Sequence, residues 1–264
     1  MSKRSRFFSS SNPFLTENNY AKSTQEPTTT TKTSEGGGSF SLDSKAEHMT
    51  VKGAINKTFL LTGILLLTAF LGAYLASMMV MWVGIIGGLV SLLVAYFRPK
   101  TAPITAPLYA AFEGLALGTI SLLYANFFYE GIVFNAIMLT LLALGVMLTL
   151  YRTGVIKATK KFRAVVTTAT GAIMMLYVVN IVMHMFGGGL PYLHQMHPIG
   201  IGISLLIIGV ACLNLILDFD QFEKGEQMRA PIHMEWLSAM GLLVTLIWLY
   251  LEILRLLAMF SSSD

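Results

Sequence analysis

Cysteine and charge are both scarce in these 264 residues. The single cysteine, Cys212, sits inside an apolar run. It can close no internal disulfide and has no C-x-x-C or Cys/His spacing for zinc, so it reads as a small buried residue. Charged side chains make up 12% of the chain against 55% hydrophobic, where a soluble domain carries about 25% charged residues. That excludes a soluble domain on one anchor and points to a polytopic membrane protein. A secretory signal is also lacking, because MSKRSRFFSSSNPF has no apolar core segment of about 7–15 residues, and the first span is expected to act as its own insertion signal. No nucleophile motif, glycine-rich phosphate loop or H-E-x-x-H is present. Intramembrane proteolysis would need paired Tyr-Asp and Gly-Asp motifs or a Ser/His pair at matching depth, which Asp218 and Asp220 on one helix do not reproduce. Neither an enzyme nor a bound cofactor or metal is expected. The net charge of +4 comes from basic residues set between apolar runs rather than on one face, so nucleic acid is not an expected partner.

What the chain does have is a repeated apolar run. Residues 1–50, rich in Ser, Thr, Asn, Gly and Lys with TTTTKT and EGGGS tracts, cannot bury enough apolar surface to offset the entropy of ordering, and are expected to form a flexible polar cytoplasmic tail. Residues 51–264 form the membrane domain. Its runs fall at 56–77, 79–97, 104–128, 132–152, 163–186, 198–219 and 235–259, each near the ~20 residues that cross about 30 Å of hydrocarbon. In lipid a span must satisfy its own backbone, so these are helices and the fold is an all-α bundle of seven.

Charge patterning checks the count. Eight Lys or Arg lie in the tail through Lys57, two at Arg98 and Lys100, five in Arg152–Arg163, and two at Lys224 and Arg229. Only Arg255 lies within a span. With seven spans and a cytoplasmic N-terminus the other seventeen all fall on the cytoplasmic side, leaving the C-terminus outside; six or eight spans would break the alternation. Small residues such as Gly84, Gly88, Gly200, Gly202 and Ser204 allow helices to approach closely, and Gly84-x-x-x-Gly88 is read as internal packing.

Into this apolar domain the chain places a few acids, each costing roughly 2.5–3.5 kcal/mol at mid-membrane on insertion scales. Asp218 and Asp220 close the sixth span, and Glu235 opens the seventh across a short charged loop. Glu113 lies nine residues into the third span, on the order of 13 Å deep. Asn214 sits one turn deeper than Asp218 on the same face, with Thr245 in the seventh span. Glu113, Asn214, Asp218, Asp220 and Glu235 are therefore candidate ion-pathway or pH-sensing residues that could share one polar cavity. Asp220 and Glu235 also read as interfacial groups, and Glu235 suits the positive end of a helix. Nearer the outer side, Glu252 and Arg255 have the i, i+3 spacing of a structural ion pair. Asn180 and His184 are one turn apart, and His194 and His197 lie in FGGGLPYLHQMHP, without a ligand motif that would fix a metal.

Three stretches carry a resemblance: YAAFEGLALGTISLLYA (Tyr109–Ala125), LILDFDQFEKG (Leu215–Gly225) and MEWLSAMGLLVTLIWLYLEILRLL (Met234–Leu257). They resemble the Bax inhibitor-1, or transmembrane Bax inhibitor motif, family, and within it the bacterial YccA-like branch. The resemblance implies a bacterial inner-membrane protein with the seventh span central in the bundle. It also implies a pH-sensitive calcium leak governed by paired aspartates on the last two spans. The first aspartate carries over to Asp218 or Asp220. Its partner position carries over to Thr245, which is not an acid. An arginine that the resemblance places near Tyr124 is also missing. Two functions follow as expectations: a passive, pH-sensitive calcium or proton pathway through the bilayer, or a non-transporting partner of a membrane protease or other membrane complex.

Overall fold

A computed structural model describes residues 48–186 and 198–261; residues 1–47 of the expected tail and the outer-loop histidines His194 and His197 lie outside the described residues. Met49 and Thr50, at the end of that expected tail, pack with the membrane domain, Met49 being buried. Seven helices long and apolar enough to span a membrane follow one another: α1 Val51–Leu75, α2 Met78–Phe97, α3 Ala102–Phe127, α4 Ile132–Arg152, α5 Lys160–Met185, α6 Pro198–Gln227 and α7 His233–Ser261. Local chemistry explains most boundaries. The Thr50 side chain accepts the Gly53 N–H at the start of α1, and Thr159 does the same for Phe162 at the start of α5. Ala76 adopts a left-handed conformation (φ 46°) that ends α1 and lets Ser77 turn straight into α2. A 3₁₀ turn, Pro99–Thr101, leads into α3.

One expected boundary needs correction. The sixth span does not end at the two aspartates: α6 continues as helix to Gln227. Charge ends the hydropathic run there but not the helix, because Phe219 and Phe222 keep a buried face and Lys224 pairs back to Asp220 one turn earlier. Asp218 is therefore nine residues short of the helix end, on the order of 13 Å inside it. The connection to α7 is only a tight turn, with Arg229 at φ 49° and the Ala230 N–H bonded to the Gly225 carbonyl.

The last helix is the central one. In α7, 56% of the most apolar window is buried, against 17% to 39% in the others, and α7 packs on α1, α3, α4 and α6. Buried residues occur all round it, from Ala239 and Leu243 to Leu249, Glu252 and Leu254. By contrast α5 packs chiefly on α6, and α1 turns Phe70 and Tyr74 outward, as lipid-facing surface should.

Bare backbone sets the closest helix approaches. A β-carbon on Gly118 or Gly72 would overlap the facing backbone of Ala69 or Leu115, so α1 and α3 cross with glycine on both sides. The Thr119 hydroxyl donates to the Gly72 carbonyl at 3.1 Å across the same crossing. On α2, Gly84 and Gly88 face Phe112 and Glu113 of α3, so this small-residue pair packs inside the bundle. Gly118→Val is expected to destabilise the detergent-solubilised protein by about 1–3 kcal/mol or more, whereas Gly171→Ala, with nothing within 4 Å, should melt like the parent chain in a thermal denaturation series.

Candidate functional site

The acids singled out in the sequence occupy separate settings rather than one cavity. Glu235, in the first turn of α7, is 3% exposed. It accepts the Thr50 N–H at 2.8 Å and the Thr50 hydroxyl at 3.0 Å, and its other oxygen pairs with Lys57. Lys57 also lies 5.4 Å from the centre of the Trp236 ring. Gly53 has no side chain because a β-carbon there would collide with the Glu235 carboxylate. The backbone joins in: the Met49 N–H donates to the Ala230 carbonyl at 2.7 Å. Glu235 thus ties the start of α1 to the α6–α7 turn.

Asp220 is also fully engaged. It pairs with Arg163 of α5 and, at 2.6 Å, with Lys224 one turn along α6. Those two cations are 46% and 40% exposed, which marks an interfacial network. Asn214 turns toward α5, its amide donating to the Thr170 hydroxyl at 2.7 Å and to the Val210 carbonyl at 2.9 Å.

Asp218 and Glu113 differ from these in having no cation among the described residues. The Asp218 carboxyl faces the Thr245 hydroxyl of α7, and its Oδ2 is buried without a hydrogen-bond partner. Of the two aspartates, Asp218 is the one opposite Thr245. Glu113, half-buried, projects from α3 against Gly88 of α2 and stands one turn from the buried Tyr109. Counted from their helix ends, Asp218, Thr245 and Glu113 are each nine to twelve residues in, at roughly the same depth. No hydrogen bond or ion pair links Glu113 to Asp218 or Asn214, so the expected shared cavity does not form through direct contact. Helix rotation decides this: Glu113 faces α2, whereas Asp218 faces α7.

At the other end of α7 the interior holds a second polar group. Glu252 and Arg255 are both largely buried and stand 2.6 Å apart. Glu252 accepts the Tyr177 hydroxyl from α5, and Arg255 donates to Ser204 of α6 at 3.1 Å, with its guanidinium 5.9 Å from the Tyr177 ring centre. Nearby, Ser121 of α3 and Tyr250 of α7 share a hydrogen bond of 2.6 Å. Asn180 is buried in α5, and His184 follows it one turn on. Among the described residues no group of three or more His, Cys, Asp or Glu could hold a metal ion.

The chain matches the family model described as Bax inhibitor 1 like over residues 12–262. It belongs to the Bax inhibitor 1 like family. A search of curated proteins finds no match.

The fold explains why the family-resembling stretches look as they do. In the E-G-L-x-L-G run, Gly114 and Gly118 are the α3 side of the crossing with α1, and Glu113 is placed beside them on the α2 side. The LILDFDQFEKG stretch carries Asp218 opposite Thr245 and Asp220 among its cations, while L-R-L-L carries the Arg255 of the buried pair. Sequence reasoning missed Lys57, Thr50, Arg163, Tyr177 and Ser204 as partners. The i, i+4 spacing of Asp220 and Lys224 was visible; the pairings between distant helices had no local signal. The two ion-pair settings give unequal costs. Glu235→Ala leaves Lys57 and the Thr50 donors without their acceptor and is expected to cost about 3–5 kcal/mol. Asp220→Ala, among exposed cations, should cost about 1 kcal/mol or less. Chemical denaturation in mixed micelles, read by tryptophan fluorescence, measures the difference.

Proposed function

We propose that this protein is a passive, pH-dependent cation pathway, with calcium as its favoured ion and Asp218 as the controlling group. One observation carries the reading: a carboxyl nine residues inside the end of α6 faces the central helix with a buried oxygen that has no hydrogen-bond partner among the described residues. An acid at such depth must be protonated, hydrated or bound to a cation, and conduction needs an ion held weakly enough to leave. Asp218 with Thr245 supplies few of the six to eight oxygens that calcium prefers, which suits transient occupancy rather than storage. Glu113, at similar depth and likewise without a cation, is the second acid of the pathway. Glu235 and Asp220 stand outside it, since their charges are already matched by Lys57, Arg163 and Lys224.

The same reading assigns the chain to a bacterial plasma membrane, near the YccA-like branch. Its N-terminus is cytoplasmic and its C-terminus outside. The support is that Lys57, Arg152, Arg163, Lys224 and Arg229 belong to the helix ends and turns of one side.

Protonation removes the charge that attracts a cation, so flux should fall as pH falls. In proteoliposomes loaded with a calcium indicator, the intact chain should leak calcium in a pH-dependent way. Asp218→Asn should hold flux near background at every pH, while Asp220→Asn stays close to the parent. Flux equal to empty vesicles throughout, or an unaltered pH profile in Asp218→Asn, defeats the proposal.

A further inference from the structure

Between α1 and α4 runs a groove that the ion pathway does not use. These two helices flank it, while α3 and α7 form its floor. The outer section has a volume of about 480 Å³ and is almost wholly apolar, with Leu66 and Phe70 on one wall and Ile137 and Leu141 on the other. A second apolar section of about 270 Å³ continues from it, sharing Thr62, Leu141 and Leu246, and is lined by Phe59, Leu144 and Leu148. It ends at Tyr151, Arg152 and Glu223. Those three residues also line a polar pocket of about 490 Å³, completed by Lys157, Thr159 and Asp220. From Ala73 to Val51 along α1 the apolar part extends on the order of 30 Å.

The chemistry changes once along this path, from hydrocarbon to cation. In the polar pocket, the cations Arg152 and Lys157 stand with the carboxylates Asp220 and Glu223. Arg163 and Lys224 are held by Asp220, and Glu223 accepts the Tyr151 hydroxyl at 2.8 Å. Arg152 and Lys157 make no ion pair among the described residues and are exposed. The first turn of α5 opens beside them, with its unpaired N–H groups adding positive potential. A bare apolar helix would fill the long section but not the basic pocket, and a free phosphate would fill the pocket but not the long section.

We propose that this groove holds one anionic phospholipid, its acyl chain lying between α1 and α4 and its phosphate between Arg152 and Lys157. The lipid comes from the leaflet at the cationic end of the bundle. It acts as a wedge where α1 and α4 make no substantial contact of their own.

Native mass spectrometry of the full chain tests this, in detergent with equimolar phosphatidylglycerol and phosphatidylcholine of identical acyl chains. The expected result is a single phosphatidylglycerol adduct, favoured about fivefold or more, the factor that one basic residue near an anionic headgroup contributes. Arg152→Ala with Lys157→Ala should bring the two lipids to parity. Leu141→Trp, which blocks the junction of the two apolar sections, should abolish the adduct, while Leu141→Ala keeps it. Circular dichroism and gel-filtration elution establish that each variant is folded. No adduct, equal adducts of both lipids on the parent chain, an adduct undiminished in folded Leu141→Trp, or a protein dimer in place of the lipid adduct would each overturn the proposal.

Discussion

Hydrocarbon offers no hydrogen bonds, so each polar group carried into this bundle has to find its partner within the protein. That constraint sorts the acids more sharply than their positions along the chain do. Glu235 draws three donors from the start of α1. Asp220 draws two cations. Glu252 draws Arg255 and a tyrosine hydroxyl. Each of these charges is neutralised where it stands, and its removal would strand donors or cations that were bound to it. Among the described residues, Asp218 and Glu113 are the acids nine or more residues inside their helices that have no cation partner.

Close backbone approach is the second consequence of the same environment. Lipid tails are as apolar as leucine, so helix association in a membrane rests on fit rather than on expulsion of water. The glycine-on-glycine crossing of α1 and α3, and the packing of Gly84 and Gly88 on α3, supply that fit on one side of the bundle. Glu113 is held there by geometry: its side chain occupies the space that a β-carbon on Gly88 would take. A motif residue that looks chemical and a glycine that looks structural are thus two halves of one contact.

The helices, their number and the clustering of cations were legible in the sequence because hydropathy and charge act on each span independently. The end of α6 was not, because hydropathy stops at Asp218 while amphipathic helix continues through Phe219 and Phe222. The site was legible only as a set of candidates. Asn214 and Asp218 share a helix face by spacing, yet α6 runs between α5 and α7, so one reaches Thr170 and the other Thr245. No periodicity encodes that division, which depends on how neighbouring helices are rotated. The same holds for Lys57 and Glu235, 178 residues apart in the chain.

Tyr124, near which the family resemblance implied an arginine that this chain does not have, lies beside the polar group at the far end of the central helix. It lies within electrostatic range of both Arg255 and Glu252, whose opposite charges are paired with each other. The central helix is tied to its neighbours toward each end, by the Glu235–Lys57 ion pair to α1 and, about 25 Å along its axis, by the hydrogen bonds of Glu252 with Tyr177 of α5 and of Arg255 with Ser204 of α6. Thr245 lies between the two ends, opposite Asp218. A helix tied at both ends cannot slide or swing as a rigid body without breaking the buried Lys57–Glu235 pair or the charge-assisted hydrogen bonds to Tyr177 and Ser204. Any opening beside Asp218 must therefore come from its neighbours. Of these, α6 carries Asp218 and is tied to α5 by the half-exposed Arg163–Asp220 pair and by the Asn214–Thr170 hydrogen bond, so a shift of α6 against α7 keeps those contacts only if α5 moves with it.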